Sequence, residues 1–113
     1  MEHPASGLRD ITHGKGLAAI TPAVMEASTA GCPEKFAVIS RCLGGKDEKD
    51  CVDRIRKLIE QLNLTVTLGE LGIKEEDVAW MAENCMKVSA AGISYHPVTF
   101  DRDQIEELYR RCL

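Results

Sequence analysis

The side chains best suited to chemistry gather near the start of the chain. They run His3-Pro4-Ala5-Ser6-Gly7 and then Asp10-Ile11-Thr12-His13-Gly14-Lys15-Gly16. Metal-ligating histidines on one helix sit three or four residues apart, because only then do their side chains share a face. The ten-residue separation of His3 and His13 is therefore a weak pointer to a metal. Asp10 and His13 have the i,i+3 spacing that allows a carboxylate–imidazole pair. The plainer alternative is that His13 caps a helix opening at Gly14 while Asp10 faces water, and spacing alone does not choose between them.

Other chemistry-bearing residues carry less. Tyr95-His96-Pro97 falls in a loop, where an exposed aromatic and histidine can be functional. The plainer expectation is a packed Tyr95 and a solvated His96. Gly14-Lys15-Gly16 and Gly44-Gly45-Lys46 lack the strand–loop–helix setting of a phosphate-binding loop, and Gly44-Gly45 serves better as a helix stop. Glu75-Glu76-Asp77 has no calcium-loop spacing and is expected to be a solvated first turn. Trp80 is expected in packing, buried or half-buried. The five cysteines (Cys32, Cys42, Cys51, Cys85, Cys112) are odd in number and form no CxxC. They read as reduced core thiols of a cytoplasmic protein rather than a disulfide scaffold or zinc module. Asn63-Leu64-Thr65 matches a glycosylation acceptor by chance in such a protein.

The elements that must position these residues all carry helical periodicity, so the fold class is all-α with about five helices. The first helix begins near Lys15 with Leu17, Ile20 and Val24 on one face, and Pro22 is expected to kink it or mark its middle. Pro33 opens a second helix carrying Phe36, Ile39 and Leu43. The third, expected to be the longest, aligns Val52, Ile55, Leu58, Ile59 and Leu62, with Asp53 and Lys57 paired four apart. Thr67 to Gly72 suggests one tight turn, and Leu64–Thr67 is too short and unpartnered for a sheet. A fourth helix, from about Lys74 to Ser89, buries Val78, Met81, Ala82 and Cys85 behind an acidic first turn. Ala90 to Phe100 reads as a loop. Asp101 caps a last helix with Ile105, Leu108 and Cys112 inward and Glu106–Arg110 and Glu107–Arg111 outward.

At 113 residues, 44% hydrophobic and 28% charged, the composition fits one ordinary folded domain and argues against disorder. The formal charge of −4 and the lack of a basic patch exclude nucleic-acid and anionic-membrane binding as expectations. No apolar run approaches the ~20 residues of a membrane helix. Two-lobed catalysis does not fit in a chain of this length.

A family resemblance sharpens these readings. The pattern His3-x-x-Ser6-Gly7-Leu8-x-Asp10-Ile11-Thr12-His13-Gly14-x-Gly16-Leu17-Ala18-x-x-x-Pro22 is similar to the metal-binding segment of the iron-containing alcohol dehydrogenases. It continues through Pro33-Glu34-Lys35-Phe36-Ala37, Leu68-Gly69-Glu70-Leu71-Gly72-Ile73 and a terminal His96-Pro97…Ile105-x-x-Leu108-Tyr109, covering nearly the whole chain in order. The resemblance implies the C-terminal part of an all-helical domain that follows a dinucleotide-binding α/β domain. It implies Fe²⁺, or Zn²⁺, held by one aspartate and three histidines, with NAD(P) as hydride carrier and a small alcohol or aldehyde as substrate.

On that alignment His13 corresponds to the last metal ligand. His3 corresponds to a histidine near the nicotinamide and substrate that could relay a proton, and Asp10 is not the metal aspartate. The other ligands and the Gly-rich cofactor domain would precede Met1. Residues 1–113 therefore read as a partial helical metal domain, inactive alone and holding no cofactor tightly. Where the family often has Asn-Pro this sequence has His96-Pro97, which leaves the role of His96 open. The alternative expectation is a standalone helical interaction module without catalysis, self-associating as a symmetric dimer through an apolar face.

Overall fold

A computed structural model describes residues 1–113. The chain is entirely helical, with seven α-helices and two 3-10 turns. The helices are α1 (Glu2–Arg9), α2 (His13–Ser28), α3 (Pro33–Cys42), α4 (Cys51–Gln61), α5 (Glu75–Val88), α6 (Ala90–Ser94) and α7 (Arg102–Arg110). Two of the seven depart from the five expected. Pro4 does not prevent α1, because it lies in the first turn, where backbone N–H groups have no helical partner. The helix ends at Asp10, which adopts the left-handed conformation (φ 51°) and returns its N–H to Ser6 O. Short-side-chain Asp tolerates that region better than most residues. The other addition, α6, is a single short turn within the expected loop.

The longest helix is α2, at 16 residues, rather than α4, at 11. It begins at His13, two residues before the expected start, and runs through Pro22 to Ser28. Pro22 cannot donate to Ala18 O, so one rung of the helix ladder is missing there. Pro33 opens α3 and Asp101 caps α7, both as expected, with Asp101 and Gln104 exchanging side-chain-to-backbone bonds of 2.8 and 2.9 Å.

The main core joins α1, α2, α5 and α7 around Ala5, Ile20, Ala23, Val78, Met81, Cys85, Ile105 and Tyr109. The stripes read for α5 and α7 are all buried. The turn at Leu68–Ile73 locks this core from below. Leu68 is fully buried and donates its N–H to Cys112 O at 2.7 Å. Gly69 leaves room for the chain end, since a Cβ there would meet Leu113 O at 2.7 Å.

The stripes of α3 and α4 fare differently. Phe36 and Val52 are buried, whereas Ile39, Leu58 and Leu62 remain exposed. The molecule is a slab of 39 × 31 × 18 Å, so these outer helices have protein on one side only. Ion pairs were partly foreseen. Glu106–Arg110 forms, but Arg111 pairs with Glu26 instead of Glu107, and Asp53 pairs with Arg56 instead of Lys57.

One charged pair ties α1 to α5. Arg9 Nη2 donates to both carboxylate oxygens of Asp77 at 2.7 Å, and Lys74 N donates to Asp77 Oδ2 at 2.9 Å. The Arg9 guanidinium and then the Lys74 amide hold the Asp77 carboxyl below its ordinary value of 3.8. A depressed carboxyl stabilises the fold above the unfolded value, and that contribution is lost as pH falls through the folded one. Denaturant midpoints are therefore expected to fall below about pH 4. Asp77→Asn should be less stable at neutral pH and show a flatter acid limb. An acid limb identical to wild type would remove Asp77 as its source.

Candidate functional site

The break at Asp10 sets the site. Because α1 stops there and α2 restarts at His13, residues ten apart in sequence face each other across a helix–helix corner. The His3 and His13 rings stack with centroids 5.3 Å apart and planes 23° apart. Single-helix spacing does not apply, since each ring comes from a different helix. Asp10 is exposed and makes no pair with His13. His13 is the first residue of α2, after Thr12 as the cap.

The partner of His13 is Glu2, which sequence reasoning did not single out. Glu2 is 3% exposed, and its Oε2 pairs with His13 Nδ1 while its Oε1 accepts from Ser6 Oγ. The carboxylate fits between the helices only because residue 16 is glycine. A Cβ there would lie 2.6 Å from Glu2 Oε1 and 2.9 Å from its Cγ. Two weak signals were present in the sequence: the Glu2–Ser6 i,i+4 spacing, and a glycine one turn after His13 on the same face.

Glu2, His3 and His13 border an apolar cleft of about 500 Å³, a size that suits small ligands and cofactor fragments. Leu17, Ile20 and Val24, read as one face of α2, all line this cleft, with Ile20 also part of the core. Gly92 and Ile93 of α6 contribute another wall, with Phe100 and Ile105 closing it.

His96 also lines the cleft, and the Tyr95-His96 expectation is inverted. Tyr95 is 89% exposed, whereas His96 is half-buried against Phe100, with ring centroids 5.4 Å apart. Its Nδ1 bonds Val98 O at 3.0 Å, and its Nε2 stands 3.5 Å from Ser28 Oγ, which itself donates to Val24 O. Gly31 admits this loop, since a Cβ there would strike Val98 Cγ2 at 2.6 Å and Pro97 O at 2.7 Å. The chain turns back at residue 95, leaving Tyr95 outside and His96 inside.

The donor atoms of Glu2, His3 and His13 all lie within 4.8 Å of one another. Imidazole is a donor suited to iron or zinc, so His13 fits such an ion as one ligand. The cysteines are not part of this cluster. All five are free, with Cys51, Cys85 and Cys112 buried and Cys42 exposed. Trp80 is about half-exposed on α5, and Glu75 and Glu76 are solvated.

Comparison with known proteins accounts for the whole chain. The family model described as Fe-containing alcohol dehydrogenase family, C-terminal, matches residues 1–113. A 1,3-propanediol dehydrogenase of Citrobacter freundii is 30% identical over 99% of this chain and 30% of its own length. The probable alcohol dehydrogenase EutG of Escherichia coli K12 is 28% identical over 96% of this chain and 28% of its own. Among solved structures, a halo-thermophilic archaeal alcohol dehydrogenase from a Red Sea brine pool superposes with a TM-score of 0.89 at 28% identity, covering 100% of this chain and 32% of that one. A 1,3-propanediol oxidoreductase gives 0.86 at 28% identity, over 99% and 31%. The chain thus spans about 30% of the curated relatives it matches. With an all-helical fold and a full-length match in both sequence and structure, the chain belongs to the Fe-containing alcohol dehydrogenase family, in its C-terminal helical region.

Proposed function

We propose that this chain forms the metal-facing wall of a nicotinamide-dependent dehydrogenase that interconverts small alcohols and aldehydes. The observation that carries this is the stacked His3–His13 pair at the rim of an apolar cleft, within a chain that matches the family from end to end. His13 would supply one ligand to Fe²⁺ or Zn²⁺, an ion that polarises the substrate oxygen when bound. His3 lies beside His13 and borders the same cleft, where it would hydrogen-bond the cofactor ribose or the substrate hydroxyl and pass on its proton. Leu17, Ile20 and Phe100 give the cleft an apolar lining suited to the carbon side of a small alcohol.

These 113 residues contain no strand and no Gly-rich βαβ unit of the kind that grips a dinucleotide, which supports a contribution limited to contacts such as that of His3. By themselves they are inactive and bind no cofactor tightly. The five unpaired cysteines support a cytoplasmic, reducing setting. Exposed Val38, Ile39, Leu58 and Leu62 on α3 and α4 support self-association. Light scattering should show a dimer, and a strict monomer would remove that part of the proposal.

The functional proposal is tested by metal and turnover together. Zn²⁺ titration of the chain, followed by NMR, should shift the His13 ring first, and His13→Ala should abolish the response. Assays with short alcohols and NAD(P) should show no turnover by the chain alone. Zn²⁺ uptake indifferent to His13→Ala would overturn the ligand assignment, and turnover would overturn the claim of inactivity.

A further inference from the structure

We infer that Glu2 is a positioning residue, which holds His13 by Nδ1 so that Nε2 is the nitrogen presented to a metal ion. The inference rests on the assignment of His13 as a ligand and adds a residue that the ligand pattern does not contain.

The geometry around Glu2 is specific. A carboxylate this buried is tolerated only when its oxygens are bonded. Here both are occupied, Oε1 by Ser6 Oγ and Oε2 by His13 Nδ1. The stem lies close over the bare backbone of Gly16, where a Cβ would stand 2.9 Å from Glu2 Cγ.

A carboxylate oxygen accepts, so an Nδ1–H of His13 is the donor this contact favours. In the neutral ring this leaves Nε2 with a bare lone pair, the form a metal needs. Histidine ligands are commonly oriented this way, through the nitrogen that does not touch the metal. The stacked His3 ring, 23° from parallel, restricts the remaining rotation of the imidazole plane. The contact with Glu2 and the stack with His3 thus set the orientation of the ring before any ion arrives.

The test reads the tautomer directly, on the uniformly ¹⁵N-labelled chain at pH 8.5, by long-range ¹H–¹⁵N correlation. Wild-type His13 should show a protonated Nδ1 and an unprotonated Nε2. In Glu2→Gln the two tautomers should mix, because the amide can donate as well as accept. Zn²⁺ affinity at the His13 ring should then weaken by about tenfold to a hundredfold. Ser6→Ala, which removes only the other partner of Glu2, should keep the wild-type tautomer. A wild-type His13 protonated on Nε2 would overturn the inference, and this reading needs no variant to fold. So would a folded Glu2→Gln chain with unchanged tautomer and unchanged Zn²⁺ affinity. Failure of the ligand assignment looks different: His13→Ala would leave Zn²⁺ uptake intact while the tautomer in the wild-type chain stayed on Nδ1.

Discussion

Replacing Tyr109 by alanine is expected to cost about 3–5 kcal/mol. A domain of this size has about 5–15 kcal/mol in total, so the variant should stand near the edge of folding. Tyr109 is fully buried and heads the largest enclosed side chains of the core. Its ring fills the space between α5 and α7, beside Cys85 and Cys112. Its hydroxyl donates to Met1 O, so one side chain joins the last helix to the first. Tyr109→Phe separates the two roles. It keeps the ring and should lose only about 0.5–1.5 kcal/mol, the net value of one hydrogen bond.

The alkaline limb gives a second readout. Burial pushes the Cys112 thiol up to about 11 from 9.0 and holds the Tyr109 phenol above its ordinary 10.0. For groups kept neutral in the fold, stability is complete below the unfolded value and falls as pH rises through the folded one. Urea midpoints should therefore hold to about pH 9 and then decline, by about 1.4 kcal/mol per pH unit for each such proton. Tyr109→Phe should decline less. A Tyr109→Ala chain within 1 kcal/mol of wild type would mean the ring is not the keystone described.

How much of this was legible in the sequence depended on what covers each face. The stripes of α5 and α7 were read correctly because each has one buried side against a thick core. The same period groups residues on one face of α2 and of α4, yet Leu17 lines a cleft and Leu58 and Leu62 face outward. Periodicity states which residues share a face and says nothing of the neighbour opposite. Pair predictions followed the same logic. Glu106–Arg110 is local and formed, whereas Arg111 found Glu26, 85 residues away, a competitor no helical wheel contains.

The site was legible by residue type and through the family resemblance, but not by geometry. His3 and His13 were singled out, while their ten-residue separation counted against them on a single-helix rule. The left-handed Asp10 breaks that helix and brings the rings together. Glu2 stayed hidden because a lone glutamate beside a histidine resembles any solvated charge until a glycine across the corner makes room for it.

That glycine yields the second large effect. Gly16→Val is expected to cost more than the about 1–3 kcal/mol typical of overpacking, because two penalties act together. The first is steric: the Cβ alone would approach Glu2 Oε1 at 2.6 Å and Ile11 Cδ1 at 3.0 Å, before the branched methyls are added. The second follows from displacement, since a Glu2 forced aside leaves a buried carboxylate without its partners. Gly7 is the control, because it also lies within a helix but a Cβ there meets nothing within 4 Å. Gly7→Ala should therefore stabilise the chain by about 0.5–1 kcal/mol through helix propensity alone. Opposite signs at two helical glycines, measured by urea unfolding, would separate contact from propensity. If Gly16→Val matched wild type, Glu2 would have another place to lie, and its hold on His13 would not be the only arrangement the fold permits.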